Sequence, residues 1–292
     1  MTDPDTEYCH VDGTLVPAAE ATVNLRDRGF VYGDAVVETL RVYGGEPFEW
    51  AAHIDSLERS ATRLDFEEVL PPRDDLHDRV TETLAANDLS EAFVRLSISR
   101  GVQGRDLTPE PRVDPTITVV VDDLPRGGTD GERVWDEPAT LRAVETRRPS
   151  AEALPPDGKT HNALTGVLAR LELPEDADEA LLRSVEGYVT DGADSALFLV
   201  HNGTLYTPTT ALPLVPGVTR GVVLDIASAE PFPVETGRYN LVDVREADEL
   251  FLSNPAWEVR PVTEVDGYEK PVGPITQLCQ RLFDRRVEQT HY

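Results

Sequence analysis

Pro156-Asp157-Gly158-Lys159-Thr160-His161-Asn162 is a turn that presents one lysine and then runs into a helix-like segment from Ala163 to Leu173. The chain carries 27 lysines and arginines together, yet lysine stands only at Lys159 and Lys270. A composition that has given up nearly every lysine has a reason to keep this one. A primary amine forms a Schiff base with a carbonyl once it loses its proton, whereas a guanidinium is effectively never deprotonated. Lys270, within Tyr268-Glu269-Lys270-Pro271, reads as a solvated turn residue, and Lys159 taken in isolation reads the same way.

Composition narrows the field before any motif does. A chain of 292 residues, 40% of them hydrophobic, is one large domain or two ordinary ones with real cores. No apolar run of about 18 residues is present to span a membrane. Met1-Thr2-Asp3-Pro4-Asp5 lacks the basic-then-apolar layout of a signal peptide, so a cytoplasmic protein is expected. Cys9 and Cys279 lie at opposite ends without a CxxC pair, and the six histidines do not cluster, so neither a disulfide framework nor a metal site is expected. The net charge of −27, with 54 acidic residues spread along the chain, argues against a nucleic-acid partner, which needs a basic face. Self-repulsion of that size is screened by dense salt, and the pattern reads as adaptation to a salty cytoplasm.

Along the chain, Asp12-Gly13 between short apolar runs predicts a hairpin over His10 to Val16. Arg28 to Asp34 is an aromatic stretch punctuated by Gly29 and Gly33, followed by a β-rich run that the Gly44-Gly45 turn closes. Trp50, Ile54, Leu57, Ala61 and Leu64 recur at helical spacing, with His53, Ser56, Arg59 and Arg63 on or near the other faces. Asp74 to Asn87 reads as a second helix. The alternation in Phe93 to Arg100 and the apolar run Thr116 to Val121 read as strands, so this half is helices on an antiparallel sheet. The proline, glycine and charge density after Val121 marks a linker over 122–132, separating a small N-terminal domain, 1–121, from a larger one, 133–292. In the latter, strands are expected near Thr140 to Glu145, Glu179 to Ser184, Gly187 to Thr190, Ala196 to Val200 and Glu249 to Leu252, with helices over Gly221 to Ala229 and from Gly273 to Val287. Pro216-Gly217-Val218-Thr219-Arg220, before the first of those helices, is an ordinary helix start or an anion site built on unpaired amides.

There is no GxSxG elbow, HExxH motif, phosphate-binding GxxxxGK[ST] loop or strand-linked GxGxxG. What remains is a retained lysine, a helix-start anion cradle and a carboxylate in Val189-Thr190-Asp191-Gly192. An aldehyde cofactor that carries a phosphate and a pyridine ring needs those three parts.

The motifs, in this order, resemble those of the class IV, or fold-type IV, pyridoxal-phosphate enzymes, a family that includes branched-chain and D-amino-acid aminotransferases and 4-amino-4-deoxychorismate lyases. The likeness runs through Arg28 to Asp34 with Glu38-Thr39-Leu40-Arg41, Lys159 to Asn162, Tyr188 to Gly192, Pro216 to Arg220, and Asp248 to Asn254 with Pro261 to Gly267. It implies an α+β/α/β fold of two domains, a small N-terminal α/β domain and a larger C-terminal one, with the active site between them. It also implies pyridoxal 5'-phosphate as cofactor, an amino-acid-like substrate and a homodimer. Lys159 would be the catalytic residue, anchoring the cofactor covalently and then carrying the substrate's α-proton. Asp191 would partner the ring nitrogen, and Gly217, Val218, Thr219 and Asn254 would complete the cofactor site. Val37, Arg105, Asn254 and Ala256 are the substrate-side positions.

Departures from the family pattern bear on substrate. Ser56 stands where the family usually places a phosphate-binding arginine, and Arg59, three residues on, is expected to reach the same anion. Asp191 replaces a glutamate, Ala196 an asparagine and Val37 a common aromatic. With Ser253-Asn254 and the loop Ser99-Arg100-Gly101 to Gly104-Arg105, which resemble the lyase subgroup, the Asp191 and Ala196 departures favour the lyase, which releases pyruvate and 4-aminobenzoate in folate biosynthesis. An aminotransferase for branched-chain or D-amino acids is the competing reading, and a non-catalytic binding subunit of the same fold is a third.

Overall fold

Asp12 and Gly13 both take positive φ, 48° and 87°, the geometry that a two-residue hairpin turn requires. The turn joins β1 (Tyr8–Val11) to β2 (Thr14–Pro17). In this computed structural model, which describes residues 7–127 and 134–292, the contacts divide the chain into two units.

The first unit holds the residues through Pro125 together with Gly158–Asn162 and His291. After the hairpin come α1 (Arg28–Tyr32), β3 (Ala35–Tyr43), β4 (Glu46–Pro47), α2 (Trp50–Arg63), α3 (Arg73–Ala86), β5 (Ala92–Ser99) and β6 (Thr116–Asp123). The strands form one antiparallel sheet in the order β2-β1-β6-β5-β3-β4. Alternate residues of β5, Ala92, Val94, Leu96 and Ile98, share a core with Leu40 and Val42, Ile54, Leu57 and Ala61 of α2, and Leu76, Val80 and Leu84 of α3. The apolar stripe expected on α2 is therefore the buried one. His53 and Ser56, expected away from it, are buried as well, at 3% and 6% exposure. Burial on α2 extends past its apolar stripe because β3 offers a polar partner there, Glu38.

The second unit holds 126–157 and 163–290, with Tyr292. Its elements are β7 (Ala139–Arg147), α4 (Leu164–Leu171), β8 (Glu179–Arg183), β9 (Val189–Gly192), β10 (Ala196–His201), β11 (Thr204–Pro208), α5 (Val218–Ser228), β12 (Val234–Gly237), α6 (Leu241–Glu246), β13 (Glu249–Asn254), β14 (Glu258–Val265), β15 (Tyr268–Glu269) and α7 (Pro274–His291). The sheet runs β12-β11-β10-β13-β14-β7-β8-β9, with β15 on β14, and is parallel only at β11/β12, β14/β7 and β7/β8. Leu141, Leu181, Val189, Leu197, Leu199, Leu250, Leu252 and Val262 make its main core.

Two expectations shift. The turn Gly158–Asn162 clusters with the first unit, although it lies within the 133–292 span; the linker expected over 122–132 falls partly outside the described residues. Lys270 is not simply solvated: its Nζ donates to the Ala247 carbonyl at 2.8 Å and to that of Arg245, where α6 ends. No described helix is long and apolar enough to cross a membrane.

Candidate active site

The Lys159 turn is pinned to the first unit through its backbone. The Val37 amide donates to the Lys159 carbonyl and the His161 amide to the Ala35 carbonyl, both at 3.0 Å. The Lys159 amide donates to Ser60 Oγ at 2.9 Å. These bonds lay the turn along an edge of β3, with Val36 bridged to Thr160. Asn162 closes the turn by donating to the Gly33 carbonyl at 3.1 Å. Gly33 has a φ of +71°, and a Cβ there would stand 2.6 Å from Asn162 Oδ1, so glycine is needed on both counts.

The Lys159 side chain is 27% exposed. Its Nζ donates to Thr39 Oγ1 at 2.6 Å and lies 3.4 Å from Glu38 Oε2. Glu38 is 2% exposed, and the same oxygen bonds His53 Nδ1 at 3.0 Å. With Glu38 ionised beside an ammonium, we assign Nδ1 as the donor. Burial pushes the Glu38 carboxyl up, but Lys159, then His53 and Ser56, outweigh it and hold the group below its ordinary value.

In the second unit, Asp191 lies in β9 at 6% exposure. Arg148 Nε and Nη2 donate to its two oxygens, each at 2.9 Å, and Nη2 also reaches the Gly192 carbonyl at 3.0 Å. Burial pushes the Asp191 carboxyl up, and the bidentate guanidinium opposes that push, with help from the Val215 amide. The same amide places Asp191 beside the turn that starts α5. That helix begins at Val218, three residues earlier than expected, with Gly217 as its N-cap and no side-chain cap. The first amides, Val218 and Thr219 among them, have no partner within the helix.

The turn after Asp191 is shaped by Glu179, which is 0% exposed. Its carboxylate accepts from the amides of Ala180 at 2.9 Å, Ala193 at 3.2 Å and Asp194 at 3.3 Å, and from the Ser195 hydroxyl at 2.9 Å. A Cβ on Gly192 would stand 2.2 Å from Ser195 Oγ, so this turn closes only on glycine. Asn254, expected at the cofactor, lies next to it but is engaged: Nδ2 donates to the Asp194 carbonyl at 3.1 Å, and Oδ1 accepts from the Trp257 amide at 2.6 Å.

The other expected positions are scattered by role. Val37 is buried in β3, Arg105 is exposed in the loop after β5, and Ala256 sits in the tight turn between β13 and β14. Arg59 is on the exposed flank of α2, whereas Ser56 faces inward with His53 and Ser60. The sequence reading assigned no role to Glu38, Thr39, His53, Arg148 or Glu179. Glu38 did carry a signal, being a lone carboxylate in Ala35-Val36-Val37-Glu38-Thr39-Leu40, and such a residue is buried only with partners. Among the described residues, no group of three His, Cys, Asp or Glu is placed to hold a metal.

The chain is similar to known proteins over most of its length. The profile of the family described as amino-transferase class IV matches residues 35–265. A putative branched-chain-amino-acid aminotransferase from Methanocaldococcus jannaschii is 36% identical over 279 residues, covering 94% of each chain. A D-alanine aminotransferase from Listeria monocytogenes is 32% identical over 285 residues, covering 95% of each. Among solved structures, the branched-chain aminotransferase from the thermophilic archaeon Thermoproteus uzoniensis, with norvaline, superposes with a TM-score of 0.88 at 25% identity, covering 98% of this chain and 95% of that one. The 4-amino-4-deoxychorismate lyase from Pseudomonas aeruginosa does so with a TM-score of 0.80 at 28% identity, covering 97% and 100%. The chain belongs to the class IV aminotransferase family and is a pyridoxal-phosphate-dependent enzyme. Its residues fit that cofactor: a lysine amine within reach of a carboxylate and a hydroxyl, a buried carboxyl paired with an arginine, and an uncapped helix start.

Proposed function

We propose that this enzyme is an aminotransferase for branched-chain or D-amino acids, moving an amino group between an amino acid and a 2-oxo acid. The observation that carries the reading is the Arg148 clamp on Asp191. In the sequence, the short aspartate counted against an ordinary transaminase site. A bidentate arginine favours its ionised form, which is the form needed to hold a proton on a pyridine nitrogen. The similarity to aminotransferases over nearly the whole chain supports the same choice.

The lyase, favoured by the sequence motifs, is the second reading, and its specific support is the likeness to the Pseudomonas structure. Ser253-Asn254 weighs less for it, because the Asn254 amide is spent on the backbone of Asp194 and Trp257. Incubation with branched-chain L-amino acids or D-alanine plus 2-oxoglutarate is expected to yield the matching keto acid and glutamate. Equal amounts of pyruvate and 4-aminobenzoate from aminodeoxychorismate, with no amino transfer, would establish the lyase instead.

Bound pyridoxal phosphate supplies an aldehyde that condenses with amines and a ring that withdraws electrons. In this reading Lys159 Nζ would anchor it and, as a free amine, would take the substrate's α-proton, its lone pair becoming the new N–H bond. Asp191 keeps the ring nitrogen protonated. The Val218 and Thr219 amides would hold the phosphate, a role for which Arg59 is proposed as well. Val37, Arg105 and Ala256 contribute to the substrate side, and Asn254 shapes the loop beside Asp191.

Assembly and environment belong to the same proposal. Leu164, Val167, Leu168 and Leu171 follow helical spacing on α4 and are between 47% and 76% exposed, an apolar stripe on a chain of net charge −27. It fits a second copy of the chain in a homodimer. Sedimentation should show a dimer for the native chain and a monomer for Leu168→Asp; an unchanged mass would refute the assignment. The charge also supports a salt-adapted, cytoplasmic enzyme. Its melting temperature is expected to climb steeply between dilute and molar potassium chloride, and a flat series would sink that idea.

A further inference from the structure

Glu38 poses a problem that the cofactor roles above do not solve. A carboxylate at 2% exposure in the middle of a strand is strongly unfavourable unless cations or donors surround it. Its charged or titratable neighbours are Lys159 from the turn and His53 from α2, with the Ser56 hydroxyl beside them. Lys159 Nζ, 3.4 Å away, is its largest opposing charge, and Thr39, the next residue of β3, takes the shortest bond from the same nitrogen at 2.6 Å. His53 Nδ1, at 3.0 Å, backs the carboxylate from the far side and is itself 3% exposed.

We propose that Glu38, oriented by His53 and joined by the Thr39 hydroxyl, is the seat that holds the Lys159 ammonium while the lysine carries the substrate's proton. The inference rests on the proton-carrying role proposed above for Lys159. When the neutral amine takes the α-proton, one C–H bond breaks and one N–H bond forms; the electron pair stays with the substrate and is drawn toward the cofactor. Nitrogen gains a positive charge at that moment. A carboxylate already in place stabilises that charge without reorganisation, which makes the lysine a better base; returning the proton to substrate or cofactor restores the neutral amine. Glu38 is a positioning residue in this scheme and touches Lys159 alone among the reacting groups.

The test uses the fact that the chain has two lysines. In cofactor-stripped protein at about pH 8, an amine-selective acylating reagent is read by peptide mass spectrometry, with Lys270 as internal control. Relative to Lys270, Lys159 is expected to react roughly three- to tenfold faster in Glu38→Gln, because the carboxylate 3.4 Å from its Nζ no longer holds it, and Glu38→Asp should restore part of the protection. In the loaded enzyme, Glu38→Gln should lower kcat by roughly 10- to 100-fold with KM within about threefold, while the bound-cofactor absorbance is retained. Thr39→Val, a near-isosteric change, should move the labelling in the same direction by less, and carries the test if Glu38→Gln fails to fold. A Lys159-to-Lys270 labelling ratio equal to wild type in the folded variants, or an unaltered kcat, overturns the proposal. Failure of the aminotransferase reading would show separately, as absent amino transfer in the wild type with the labelling shift intact.

Discussion

Lys159→Ala is expected to lose covalently held pyridoxal phosphate and to reduce turnover by at least about a thousandfold, since anchor and proton carrier vanish together. Absorbance of the purified variant checks the first half: the band of the lysine-bound cofactor should be absent, with free cofactor released on desalting. Turnover with the best amino acid checks the second. The fold should survive, because the turn is held by the Lys159 backbone, not by its side chain: its carbonyl to the Val37 amide at 3.0 Å and its amide to Ser60 Oγ at 2.9 Å. An unaltered melting curve with the band lost is the expected pair of results. A variant that kept the band would refute the anchor assignment, and a wild-type protein without such a band would revive the non-catalytic reading.

Arg148→Ala should have the largest effect on stability of any change at the site. It leaves Asp191, at 6% exposure, without its bidentate partner, and removing one member of a buried pair is destabilising by about 3–5 kcal/mol. The loss should depend on pH in a definite sense. Burial already raises the Asp191 carboxyl in the native fold, and without the guanidinium, its main opponent, the folded-state value rises further above the unfolded value of about 3.9. The charge-dependent part of the destabilisation is then complete above the variant's folded value and shrinks as pH falls through it towards the native chain's own, less raised value. Urea denaturation of both proteins across the acid range would reveal this, and a difference constant with pH would refute it. Arg148→Ala combined with Asp191→Asn should recover most of the stability, because no buried charge is left unpaired, while leaving cofactor affinity low.

Much of this arrangement was legible along the chain because it depends on local chemistry. Asp12-Gly13 called for a hairpin, the α2 stripe for a packed helix, and the scarcity of lysine singled out Lys159. The parts that were not legible depend on residues distant in sequence. Arg148 and Asp191 are 43 positions apart, Glu38 and Lys159 121 apart, and no local pattern links either pair. Asn254 was put at the cofactor by its likeness to a family motif, and its bonds to the Asp194 carbonyl and the Trp257 amide give it a part in shaping a turn that the motif does not state.

The sequence by itself pointed to the family and the cofactor, both of which the comparisons bear out, and put Lys159 forward as the residue to carry it, because an amine, an anion cradle and a ring-nitrogen carboxylate are properties of residue types in order. The tertiary structure decided the company those residues keep. Lys159 clusters with the first unit because β3 has an edge on which the backbone of its turn can pair, and that edge delivers Nζ to Thr39 and Glu38. Asp191 is raised by burial, and the push is partly offset by an arginine that folding brings from another strand's end.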